Sequence, residues 1–130
     1  MTNKNAVPPS VELYKDTLLI DHKLHGYIDL AKDYCNNYGC GTPIVLKQRP
    51  VFVNGEFYGF SYTLDCIPQH PGLAELDYTK AFEALTKAER EINPYAGGWS
   101  GQKTIGCSGW DTPSLLNPKE IIDIVLDVLK

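Results

Sequence analysis

The stretch from Pro94 to Trp110 gathers residue types suited to holding an anion. Five glycines, Gly97, Gly98, Gly101, Gly106 and Gly109, fall within thirteen residues. Glycine lets main-chain N–H groups turn inward and lets a ligand approach the backbone closely. Successive inward N–H groups form an anion-binding nest. Ser100, Lys103, Thr104 and Ser108 add donors suited to phosphate, and Trp99 and Trp110 offer rings on which a base can stack. The pattern is neither a Walker loop nor a Rossmann fingerprint. The competing use of such glycines is tight chain packing at a crossover, with the tryptophans filling the core. Arg49 stands apart in sequence beside Pro50. Its guanidinium could reach a phosphate beside the loop, or serve as an edge-strand charge that discourages aggregation.

The glycine-rich segment resembles the glycine motif of the DHHA1 domain, the substrate-recognising C-terminal domain of DHH-family phosphoesterases. That motif reads like G-G-G-G-H-P-K-A-A-G-G-S. In register, Gly97, Gly98, Lys103, Gly106 and Ser108 match, Gly101 stands at the family's histidine, and Trp99 and Ser100 replace two glycines. The order of elements over residues 24–129 is similar too. The resemblance implies a domain that recognises a nucleotide, an oligonucleotide end or another phosphorylated small molecule, without the catalytic DHH domain.

Two catalytic alternatives rest on other residues. Asp21, His22 and His25 are similar to an aspartate-histidine-histidine metal motif with Lys23 at the second histidine, and His70 or Cys66 could join them around a divalent metal. A small metal-dependent hydrolase would follow; the competing reading is surface or helix-start histidines and no cofactor. Cys107 lies among glycines near Lys103, and a nearby cation lowers a thiol pKa. A thiol enzyme would also need His22, His25 or His70 as base. Glu89 and Glu91 sit on different faces of a helix, and Asp123 and Asp127 form an exposed row, so neither pair reads as an acid–base couple. A protein–protein interaction module is the third class.

The elements that must position these residues are legible from periodicity and turn chemistry. Leu24, Tyr27, Ile28, Ala31, Tyr34, Cys35 and Tyr38 recur at helical spacing, and Gly39 suits the cap. Leu18-Leu19-Ile20 is a short strand or the approach to that helix. Residues 42–53 read as a strand in which Pro50 demands an edge or a bulge. Asn54-Gly55 is the strongest short hairpin signal, and residues 56–65 alternate apolar with polar or small on the return. Asp77 caps a helix through residue 92, with Ala81, Phe82, Leu85, Ala88 and Ile92 as its buried stripe and Asn93-Pro94 as its stop. Lys103-Thr104-Ile105 is a further short strand. Asn117-Pro118-Lys119-Glu120 opens a last helix with a cap, a proline at the first position and a capping-box glutamate.

With 130 residues, 43% hydrophobic and 22% charged, the chain reads as one α/β domain. It is expected to hold a small central sheet built on the hairpin, flanked by about three helices. Residues 1–10 are expected as a flexible arm. The net charge of −4 argues against generic binding to a nucleic-acid backbone. No apolar run has the ~20 residues a membrane span needs, and no signal peptide is visible. Four cysteines, Cys35, Cys40, Cys66 and Cys107, without C-x2-C spacing fit reduced thiols in a cytoplasmic protein.

Overall fold

The computed structural model describes residues 11–21, 33, 41–68, 70–109 and 113–129. Six strands form one mixed sheet in the order β1-β2-β3-β4-β6-β5. They are β1 (Val11–Tyr14), β2 (Thr17–Asp21), β3 (Ile44–Val53), β4 (Glu56–Cys66), β5 (Ser100–Gly101) and β6 (Gly106–Cys107). Only the β2–β3 pairing is parallel. Two α-helices stand among the described residues, α1 (Thr79–Ile92) and α2 (Pro118–Val128).

The β3–β4 hairpin is the spine. Asn54 and Gly55 both take positive φ, 52° and 81°, the pair of left-handed residues that a type I′ turn requires. Pro50 meets its constraint in two ways. Among the described residues strand β2 reaches β3 only as far as Gln48, leaving one side of Pro50 without a described strand partner, and the register shifts at Val51/Phe52. A second tight turn joins β1 to β2, with Lys15 and Asp16 at positive φ (48° and 63°).

Strand alternation gives the sheet two different faces. Ile44, Leu46, Tyr62 and Leu64 lie on one and form the core with Phe82 and Leu85 of α1 and Ile121, Ile122 and Val125 of α2. Lys47, Arg49, Ser61 and Thr63 lie on the other.

Helix α1 has Tyr78 at its N-cap, without a side-chain cap bond, and Asp77, expected as the cap, lies one residue earlier with its carboxylate accepting from the Thr79 N–H at 3.0 Å. The Thr79 bonds hold that carboxyl below the usual carboxylate range. Helix α2 carries the full capping box: Asn117 Oδ1 accepts from the Glu120 N–H at 2.9 Å, and Glu120 Oε1 accepts from the Asn117 N–H at 3.1 Å.

Three expectations are corrected or narrowed. Of the helix expected over residues 24–38, only Asp33 is described, in helical conformation. The described residues therefore hold two flanking helices, where about three were expected. Ile92 is 58% exposed, and Glu89, only 3% exposed, takes the buried place on the α1 stripe. Lys103-Thr104-Ile105 is the turn between β5 and β6 and not a strand: the glycines on either side pair instead, as Gly101 with Gly106. Residues 1–10 lie outside the described residues.

Candidate functional site

The glycine-rich segment folds into a small hairpin whose glycines serve different purposes. A Cβ on Gly106 would stand 2.1 Å from the Phe82 ring, and one on Gly101 would stand 2.3 Å from the Ile105 carbonyl oxygen. Both positions need glycine because neighbours occupy the space of a side chain. Gly97 and Gly109 face open space, Gly109 with φ of +106°. Gly98 lies against Thr86.

Several of the segment's polar groups are engaged within the chain. The Trp99 N–H donates to Thr86 Oγ1 at 2.8 Å, and the Gln102 N–H donates to the Ile105 carbonyl at 2.7 Å. Ser108 is buried and bonded twice to Tyr62: its N–H donates to the Tyr62 carbonyl at 3.0 Å, and its Oγ accepts from the Tyr62 N–H at 2.9 Å. Trp99 is 5% exposed, so its indole fills the core and leaves little face for a base. Thr104 is half-buried, and Ser100 and Lys103 are exposed. Lys103 lies near the start of α1, where its carbonyl accepts from the Tyr78 N–H at 2.8 Å and its charge helps lower Asp77. Trp110 lies outside the described residues.

Register brings Arg49 to this segment. On the face away from α1 and α2, Lys47 pairs with Thr63, Thr63 with Cys107, and Cys107 with Ser100, while Arg49 pairs with Ser61. Two adjacent rows of polar residues result. They line a cleft of about 30 Å³ to which Lys47, Arg49, Ser61, Thr63, Cys107 and Gly109 contribute. Arg49 Nε donates to Ser61 Oγ at 3.4 Å. Two cations, two hydroxyls and an open positive-φ glycine thus share one small hollow.

A broader groove of about 550 Å³ runs along the other side of the loop, where Thr86, Lys87 and Arg90 of α1 meet Trp99. Lys87 and Arg90 are cations that sequence reasoning did not place near the loop, although their i, i+3 spacing puts them on one helix face. Glu83 and Glu91 line the same groove, so its formal charges cancel and an anion gains less there than in the cleft.

The catalytic alternatives find little geometry among the described residues. His22 and His25 lie outside them, and Asp21 ends β2. No group of three or more His, Cys, Asp or Glu there could hold a metal ion. His70 Nδ1 accepts from the Gly72 N–H at 2.9 Å. Burial, and then Asp65, push the Cys66 thiol up, the wrong direction for a nucleophile. Cys107 is half-buried in the cleft, and no histidine is among the cleft's described lining residues. No helix of the described residues is long and apolar enough to cross a membrane.

The chain was compared with known proteins in three ways: no family model matches it, no curated protein matches it, and no solved structure matches it.

Proposed function

We propose that this chain is a non-catalytic binding domain for a small phosphorylated ligand, and that the phosphoryl group sits in the cleft between Arg49 and Gly109. The observation that carries this reading is the convergence of Lys47, Arg49, Ser61 and Thr63 on the open backbone of Gly109. A guanidinium beside hydroxyls gives charge-assisted hydrogen bonds to a tetrahedral oxyanion. The hollow of about 30 Å³ has the room of one water molecule, so it takes an oxygen of the phosphoryl group, and the rest of the ligand lies outside it, toward Cys107 and Ser100. The resemblance of the glycine-rich segment to the DHHA1 motif supports the same ligand class. In a chain of net charge −4, a local pair of cations is what makes such binding favourable.

Titration with inorganic phosphate, pyrophosphate and nucleoside monophosphates, read by calorimetry, tests this. Saturable binding is expected, weakened about tenfold or more in Arg49→Ala, the usual scale of a lost charged hydrogen bond. Lys103→Ala and Arg90→Ala, both outside the cleft, are expected to leave it unchanged. No saturable binding of any of these anions, or full affinity in a folded Lys47→Ala/Arg49→Ala double variant, would overturn the reading.

A further inference from the structure

A second hollow lies on the opposite face of the sheet, beneath the first turn of α2. It measures about 180 Å³. Its floor follows from the register: Glu12 pairs with Leu19, Leu19 with Leu46, and Gln48 with Tyr62, so these side chains share one face in two adjacent rows. Pro118, the first residue of α2, closes it from above. Leu19, Ile20, Leu46, Pro118 and the Tyr62 ring supply its apolar wall, about half of the lining. A dry apolar cavity of about 150 Å³ holds a benzene molecule, so this one has room for a six-membered ring and a short substituent.

The polar end is acidic. Glu12 and Gln48 line the hollow, and among the described residues neither side chain has a hydrogen-bond or ion-pair partner. The hollow continues outward past Glu12 and Leu19 into a groove lined by Glu120 and Asp123, with Lys119 as its one cation among the described lining residues. Asp123 already accepts from Lys15 Nζ at 2.6 Å and Tyr14 OH at 3.0 Å, and Glu120 closes the α2 capping box. Glu12 is therefore the carboxylate left to meet a guest.

We infer that this hollow is a binding site for a compact apolar molecule bearing a primary ammonium group, with its ring or alkyl body against Leu19, Leu46 and Tyr62 and its cationic head at Glu12 and Gln48. Body and head are recognised separately. The body gains from burial in a site too small for a larger ligand. The head satisfies two polar side chains that have no partner among the described residues. Tyr62 lines both this hollow and the cleft proposed for phosphate, but Lys47, Arg49, Ser61 and Thr63 of that cleft lie on the other face of the sheet.

Benzylamine, benzyl alcohol and benzoate share one body and differ in head charge. Titrated into the full chain and followed by methyl and aromatic NMR shifts, benzylamine is expected to saturate at Leu19, Leu46 and Tyr62, benzyl alcohol to bind more weakly, and benzoate to bind least. Glu12→Gln, at an exposed position, is expected to weaken benzylamine about two- to fivefold, the scale of an exposed ion pair, and to leave benzyl alcohol unchanged. Leu19→Trp fills the hollow and abolishes both. Absence of saturable shifts with all three probes, benzoate as tight as benzylamine, or benzylamine affinity unchanged by Glu12→Gln would overturn the assignment.

Discussion

The indole N–H of Trp99 donates to Glu89, a carboxylate buried on α1. The same side chain accepts from Ser114 Oγ at 3.1 Å and from the Leu115 N–H at 2.8 Å. One buried acidic group thus joins helix α1, the glycine-rich segment and the chain leading into α2. A buried carboxylate is tolerated when its oxygens are satisfied, and here three donors meet it.

Removing that hub should be severe. Glu89→Ala leaves the three donors without their acceptor, at roughly 1–3 kcal/mol for each unsatisfied buried group, and a loss of about 3 kcal/mol or more is expected in urea unfolding. Glu89→Gln and Trp99→Phe, combined in a double-mutant cycle, should show a coupling of about 0.5–3 kcal/mol, the range for residues in direct contact. Strict additivity of the two would contradict the contact.

The glycines of the segment are expected to differ sharply under the same substitution. Gly106→Ala drives a methyl into the Phe82 ring and should cost about 1–3 kcal/mol, the usual range of overpacking. Phe82→Leu in the same chain should recover part of that loss. Gly97→Ala meets open space and should change stability by no more than about 0.5 kcal/mol. Thermal unfolding of the three variants checks the order.

Alkaline pH should unfold the protein through Tyr62. Burial, and then the charge of Glu89, push its phenol up from 10.0 to about 12. Because the folded-state value is raised, the unfolded chain loses this proton first. The stabilisation is complete below pH 10 and is lost as the pH climbs from 10 toward 12. Tyr78 is also raised, chiefly by burial, and adds to the same slope. Urea midpoints measured between pH 8 and 11.5 should fall only above about 10, and Tyr62→Phe should flatten the decline.

Asn117→Ala should remove about 1 kcal/mol, the usual cost of a lost N-cap, with helix α2 fraying first. Hydrogen exchange at the amides of Glu120 and Ile121 reads this locally, and protection equal to the parent chain would contradict the cap.

Where a turn or cap imposes strict chemistry, the sequence already announces it. Asn54-Gly55 can scarcely be anything but a tight hairpin, and Asn117-Pro118-Lys119-Glu120 carries three helix-start features at once. Two-residue strands such as β5 and β6 have no periodicity to read, so their pairing on β4 emerges only in three dimensions. Glu89 was the readable exception: it sits in register with Tyr78, Phe82 and Leu85 at helical spacing, and a lone acid on an apolar stripe signals a buried partner. The convergence of Arg49 with Gly109 depends on the β3–β4 and β4–β6 registers together, and no local pattern encodes that. The hollow under α2 was equally hidden, since Glu12 and Leu46 are brought together by two successive strand pairings and Pro118 by the packing of α2 over the sheet.

The parallel seam between β2 and β3 has a kinetic consequence. The hairpin β3–β4 closes across two residues, whereas β2 reaches β3 only after the long stretch between Asp21 and Ile44 has been brought round. Closing longer loops costs more chain entropy and delays the contacts they permit. The hairpin is therefore expected to order early and the β1–β2 unit to dock late, with folding φ-values high at Tyr62 and low at Leu19. The floor of the 180 Å³ hollow straddles that seam. A guest held there would cross-brace the last-formed junction of the sheet, and would act first on how slowly the protein comes apart.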